Sequence, residues 1–428
     1  MKKILTLFYL AVLPLFILAQ DEPAFGIKFS GFVKSDLIWD TRQTVDIREG
    51  HFLLYPKPVL EDKDGNDINA KASYNFLNIQ TRLRGDIKGP DALGAKTSGA
   101  IEAEFFGTTD TDMNGFRLRH AYVKLNWKTT ELMVGQFWHP MFITSCYPDV
   151  VSFNTGAPFL VFSRNPQIRL TQDFKGFRVI LTALSQIDFK SPGPEGTNPG
   201  ANSKYIRNSA IPSLNLNLEY SKKNAETGRE FLAGIAGNFK QLVPRLQTVD
   251  GYKTDESINS LSGMAYLKLG FPKVVFKAAG LYGQNMFDYT MIGGYCVEET
   301  TDTAKGFETY ININTMAAWA EVMTTGKKMQ VGLFLGYSKN LGTASPADGA
   351  YYTRGTDVSG YDKGYPNDDI DFLFRISPRF IYNAGKFRIA PEIEYTLANY
   401  GNADEKFVVQ DGENVGNFRF LVGVYYFF

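Results

Sequence analysis

The chain ends in Gly416-Asn417-Phe418-Arg419-Phe420-Leu421-Val422-Gly423-Val424-Tyr425-Tyr426-Phe427-Phe428. Read with a period of two, Phe418, Phe420, Val422, Val424, Tyr426 and Phe428 share one face. Asn417, Arg419, Leu421, Gly423, Tyr425 and Phe427 share the other. Such a strand is either the buried last strand of a soluble core or a strand that turns one face to lipid. The rest of the chain decides between the two.

At the opposite end, Lys2 and Lys3 precede an apolar stretch from Ile4 to Leu18, interrupted by Thr6 and Pro14 and followed by Ala19-Gln20. This predicts a secretory signal peptide over residues 1–19. A membrane anchor is the competing reading, but the stretch is short, contains Pro14 and lacks a basic flank. No Cys lies near the cleavage site, so no lipid anchor is expected. Residues 20–428 are then expected to form a single domain. They hold no apolar run long enough for a spanning helix. A spanning strand, however, needs only about 9–11 residues with every second one apolar. The 40 Gly, 23 Tyr and 34 Phe, against two Cys, suit a barrel with aromatic belts. The 45 basic and 45 acidic residues balance, and no nucleic-acid partner is expected.

The body scans as repeated strands. In Leu77 to Lys88, the residues Leu77, Ile79, Thr81, Leu83, Gly85 and Ile87 fall on one face, opposed by Asn78, Gln80, Arg82, Arg84, Asp86 and Lys88. Similar alternation runs through Ile27–Trp39, Ile101–Phe105, Phe177–Asp188, Leu214–Tyr220 and Phe387–Tyr395. Apolar face to core or apolar face to lipid gives the same periodicity. The connections separate the two. Short, lysine-bearing turns (Lys128–Thr130, Lys175-Gly176, Phe271–Lys273, Gly326–Lys328, Asn383–Lys386) alternate with long polar ones (Thr41–Ser73, His139–Pro166, Lys190–Pro212, Asn285–Glu308, Asn340–Asp368). That regular alternation predicts an all-β transmembrane antiparallel barrel of about sixteen strands. In Phe116 to Trp127 the parity of Arg117 and Arg119 collides with that of Val123 and Leu125. A β-bulge is therefore expected between Arg119 and Tyr122.

The terminal Phe428, behind alternating aromatic and apolar residues, resembles the last strand of bacterial outer-membrane barrels. In that family the segment is the signal read by the barrel-assembly machinery. Arg117-Leu118-Arg119-His120-Ala121-Tyr122 followed by Leu132-Met133-Val134-Gly135-Gln136-Phe137-Trp138 resembles the paired strands of DcaP-like porins. Ile79–Gly85 and Ala100–Gly107 fit the same family, so the resemblance covers about residues 74–140. It implies a homotrimeric, sixteen-stranded porin of the bacterial outer membrane, bathed in lipid, that passes small hydrophilic and often anionic solutes without a cofactor. The coiled-coil segment some members carry before the barrel is not expected here.

In such porins the connection between the fifth and sixth strands narrows the lumen. Here it is about His139–Pro166. Its apolar content (Met141, Phe142, Ile143, Val150, Val151, Phe153, Phe159–Phe162) would be costly in water. It is expected to fold inward, with Asp149 among the lining charges; two extra strands are the alternative. Opposite it, Arg82, Arg84, Arg117 and Arg119 are expected on one wall, with Arg169 and Arg178 from the next hairpin. Such a set favours anions. Glu102 and Glu104 lie between the arginine pairs and equally allow a neutral salt-bridge ladder. Asp62-Lys63-Asp64-Gly65-Asn66-Asp67 looks like a calcium loop without its distal Glu, and an Asp-Gly turn is the simpler reading. Cys146 and Cys296 either pair or stay separate. Ser145 near His139 has no nucleophile-elbow context, so no enzyme is expected. The alternative function is a closed barrel that binds partners through its long loops.

Overall fold

A computed structural model describes residues 25–194, 200–347, 350–355 and 368–428; the proposed signal peptide lies outside them. Sixteen antiparallel strands close a barrel. They are β1 (Gly26–Asp40), β2 (Ser73–Leu77 and Arg82–Lys88), β3 (Lys96–Glu104), β4 (Arg117–Asn126), β5 (Thr130–Trp138), β6 (Arg164–Phe174), β7 (Phe177–Leu184) and β8 (Ser213–Asn224). The second half comprises β9 (Arg229–Leu242), β10 (Ile258–Gly270), β11 (Val274–Gln284), β12 (Asn314–Thr324), β13 (Met329–Gly342), β14 (Asp369–Ala384), β15 (Phe387–Ala403) and β16 (Val409–Phe427). β16 pairs with β1 from Phe32 opposite Phe427 to Asp40 opposite Arg419. The Phe428 amide donates to the Gly31 carbonyl at 3.1 Å. Closure satisfies every strand and leaves no edge, as a strand-built membrane span requires.

The outward face is apolar all round, with Phe29, Val123 and Leu261 each more than 60% exposed. A surface of that kind needs lipid. In β16 the outward stripe is Phe418, Phe420, Val422, Val424 and Tyr426, while Asn417 and Arg419 are fully buried inside. The chain is thus a transmembrane barrel of the bacterial outer-membrane type. Its short turns lie at one end and its long connections at the other.

Two parity readings need correction. The stretch Leu77 to Lys88 is not one uninterrupted strand. Asp36 faces Leu77 and Phe32 faces Arg82, so four steps along β1 span five along β2. The extra residue flips the pattern, and Leu77 and Ile79 point into the interior core instead of sharing the lipid face with Leu83. In β4 the bulge falls one step earlier than expected. Glu102 faces His120 and Ala103 faces Leu118, which leaves Arg119 as the extra residue. Arg119 and His120 are both buried inside, while Leu118 and Val123 stay outward.

The interior is filled at mid-height. The 139–163 connection turns inward as turns and bends, not as extra strands. It needs no ladder because side chains of the wall take its amides: Asp149 donates to Glu321 at 2.7 Å and Val151 to Glu392 at 2.7 Å. A second inserted element was not foreseen from the sequence. In the first long connection, Thr44–Ile47 pairs with Phe52–Pro56, and Phe52 to Pro56 are all buried. Phe52 meets Phe162 at a ring distance of 5.0 Å and Phe153 at 5.6 Å, so the two elements share one core. Met286, Tyr289, Met291 and Ile292 of the β11–β12 connection join it.

Candidate channel constriction

The bulge in β4 and the pairing of β2, β3 and β4 set Arg82, Arg84, Arg117 and Arg119 around Glu102 and Glu104. Arg82 opposes Glu104 and Arg84 opposes Glu102 across β2–β3. Glu104 is fully buried. It receives Arg119 Nη1 at 2.5 Å and Arg82 Nη2 at 3.2 Å on one oxygen, and Arg117 Nη2 at 3.1 Å on the other. Glu102 takes Arg119 Nε at 2.8 Å and Arg84 Nη1 at 3.2 Å. The sequence reading missed two members. Arg164, at the start of β6, reaches Glu104 at 3.5 Å and donates to Asp188 at 2.9 Å. Asp188, in the connection after β7, also pairs with Arg117 at 3.3 Å. Burial pushes the Asp188 carboxyl up, but Arg164 and Arg117 hold it below the usual carboxylate range. Only a long-range fold brings residues 164 and 188 to strands β3 and β4, so spacing gave no signal for them.

This cluster is a ladder as much as a wall. Each guanidinium in it has a carboxylate partner, and Arg84 also holds Asp86 at 2.7 Å. Two of the expected members lie elsewhere. Arg178 pairs with Glu219 of β8. Arg169 contacts the Gln167 side chain and the Trp138 carbonyl, at 3.0 Å each. Asp149 stands on the opposite side, tied to Lys277 of β11 at 2.5 Å.

That opposite side anchors the inserted loop. Glu392 receives the amides of Val151 and Ser152, Glu394 receives the Asn154 side chain at 2.8 Å, and Lys34 donates to the Val151 carbonyl at 2.9 Å. Arg375, fully buried, donates to the Ala157 carbonyl at 2.7 Å and to the Leu54 carbonyl at 2.8 Å. One guanidinium thereby fastens both inserted elements to β14. Tyr400 adds a bond to the Pro56 carbonyl at 2.6 Å. The inserted elements fill the lumen at mid-height and leave open space below the loop. Two cavities of about 590 and about 430 Å³ lie there at the short-turn end, the first against β2–β5 and β14–β16, the second against β4–β8.

The other sequence candidates resolve simply. The Asp62 carboxylate accepts the backbone amides of Asp64 and Asn66 and the Asn66 side chain, which is the bonding of an Asp-Gly turn. Those bonds hold it below the usual range. Cys146 and Cys296 are separate buried thiols, pushed up by burial to about 11 and about 12. Ser145 donates to Glu219, and His139 Nδ1 accepts the Met141 amide, so the two are not turned toward each other.

No protein-family model and no curated relative matches the chain. Solved structures do match its fold. The outer-membrane channel DcaP of Acinetobacter baumannii aligns over 95% of this chain and 99% of its own, with a TM-score of 0.65 and 15% identity. The anion-selective porin from Comamonas acidovorans aligns over 94% of this chain and all of its own, with a TM-score of 0.52 and 12% identity. The trimer form of OmpT of Vibrio cholerae gives 0.52 at 11% identity, covering 95% of this chain and 100% of its own. The chain has the fold of these outer-membrane proteins.

Proposed function

We propose that this protein is a porin of the bacterial outer membrane that lets small hydrophilic solutes diffuse passively, with a weak preference for anions such as small carboxylates. The observation that carries the reading is the β5–β6 connection. It leaves the wall, crosses the lumen and is pinned to the far side by Glu321, Glu392 and Arg375, narrowing the barrel against an arginine-rich wall. That is the arrangement by which a barrel limits solute size, and charged rings at the narrowing select by sign. In this reading residues 20–428 form one barrel, the mature protein is a homotrimer in lipid, and Phe428 is the residue recognised by the assembly machinery. Arg82, Arg84, Glu102, Glu104, Arg117, Arg119, Asp149, Arg169 and Arg178 line the path. The test is planar-bilayer conductance of the refolded protein, with reversal potential in a KCl gradient. Three equal steps with an anion-selective reversal support the reading.

A second reading has its own observation. The hairpin residues Phe52 to Pro56 are wholly buried inside the barrel, which favours a closed lumen with recognition by the long loops. A well-folded barrel without conductance selects that reading.

A further inference from the structure

The inward-facing arginines of the described strands divide into two sets. Those of the β2–β4 wall, with Arg164, Arg178, Arg375, Arg379 and Arg419, each have a carboxylate within ion-pairing distance. Their charge is answered inside the protein, and a passing anion would compete with a fixed partner. Arg169 and Arg388 have no carboxylate partner among the described residues. Both also border the cavities at the short-turn end, Arg388 the larger and Arg169 the smaller. The two cavities share Phe137, Phe142 and Thr144 in their linings, so they adjoin under the inserted loop.

Each of these guanidiniums is held still without being neutralised. Arg388 donates from Nε to the Asn383 side chain at 2.8 Å and lies over Phe427 at 5.1 Å and Tyr425 at 5.7 Å. Its two terminal nitrogens make no hydrogen bond among the described residues. Arg169 is braced by Gln167 and the Trp138 carbonyl and lies over Phe137 at 5.4 Å, which leaves Nη1 without a protein acceptor. A guanidinium fixed by one edge and a ring face, with the other edge free, is prepared for a carboxylate. Less rotamer freedom then remains to be lost on binding. The aromatic collar of Phe137, Tyr425 and Phe427 adds an apolar surface for the rest of the solute.

We infer that Arg169 and Arg388, not the paired wall of β2–β4, are the anion-recognising positions of this protein, and that they bind small organic carboxylates in the vestibule below the inserted loop. The inference deepens the porin reading and rests on it for its consequence in selectivity. Its ligand site is tested separately. Calorimetric titration of the full refolded barrel with benzoate measures binding without requiring flow, and reversal potential in a KCl gradient measures selectivity. Wild type should bind benzoate. Arg169→Gln with Arg388→Gln should weaken binding at least tenfold and move the reversal potential toward zero, while Arg169→Lys with Arg388→Lys, which keeps the charge but loses the planar fork, should keep most of the reversal potential and still weaken benzoate binding. Heat-modifiable gel mobility verifies that each variant is folded. A folded glutamine variant with unchanged benzoate affinity and unchanged reversal potential overturns the inference and leaves the porin standing. A wild type that binds benzoate through these arginines but does not conduct keeps the site and removes the porin. A wild type that does not bind benzoate removes the site.

Discussion

Glu104→Gln should destabilise the barrel by about 3–5 kcal/mol, the cost of breaking a buried ion pair from one side. Glu104 has no solvent exposure, and its two oxygens serve Arg82, Arg117, Arg119 and, at 3.5 Å, Arg164. Glutamine keeps the shape and one carbonyl oxygen. It also turns an acceptor toward donors as a donor itself, leaving those guanidiniums with Glu102 and Asp188 as their buried anions. The cost should fall where it can be recovered. Arg164 is fully buried, with both terminal nitrogens lacking a hydrogen-bond acceptor, so it is the cation least served once Glu104 is neutral. Adding Arg164→Met to Glu104→Gln should therefore restore at least about 1 kcal/mol, a coupling within the range for contacting residues. The assay is reversible urea unfolding of the barrel in lipid vesicles, followed by tryptophan fluorescence, with the midpoint read at constant slope. A loss below about 1 kcal/mol for Glu104→Gln would mean that lumen water screens the cluster as it does surface pairs. Glu104 would then not be insulated from water by its arginine partners.

Three further outcomes are expected. Arg375→Met removes a group that bonds both the hairpin carbonyl of Leu54 and the loop carbonyl of Ala157, so single-channel records should show larger or more frequent openings; an unchanged record would show that the hairpin is held without this guanidinium. His51, in the inserted hairpin, is buried beside Asp36 and stacked on Phe153, and burial holds its imidazole below its ordinary value of 6.5 despite the Asp36 carboxylate. The inserted state then binds fewer protons than the released one. Its stability is complete above that ordinary value and declines as pH falls below it. Conductance should rise on acidification from pH 7 toward pH 5 (roughly the window of histidine titration), and His51→Gln should flatten the response. Deleting Thr108–Asn114, the short exposed connection that meets Arg48 through Asp110 and the Thr108 carbonyl, should abolish a heat-resistant trimer on gels; survival of the trimer would remove this segment from the subunit contact.

Much of the fold follows from local rules. A strand that meets lipid on one side and charge on the other must alternate, so Phe418, Phe420 and Tyr426 face outward because Asn417 and Arg419 cannot. A membrane barrel must also close on short turns at one end. The alternating connection lengths therefore pointed to a barrel of about sixteen strands, and the inward fold of the β5–β6 connection was implied by the porin resemblance together with apolar residues that could not remain in water. The pairing of Arg82 with Glu104 and Arg84 with Glu102 follows from the same register.

What escaped the sequence has a common physical cause. A bulge adds one residue without any required residue type, so nothing in Asn78–Thr81 announces that Leu77 and Ile79 leave the lipid face. The hairpin at Phe52–Pro56 looks like any apolar segment in a long connection. Its destination depends on Arg375, more than 300 positions away, offering a donor to Leu54. The same holds for charge. Arg169 and Arg388 are indistinguishable in sequence from Arg82 and Arg178, because having a carboxylate partner is a property of neighbours across the barrel. Alternation along the strands, taken with the alternation of short and long connections between them, determined that this protein spans a membrane as a barrel. Which charges are answered, and which stand free toward the vestibule, was decided only when closure set distant strands side by side.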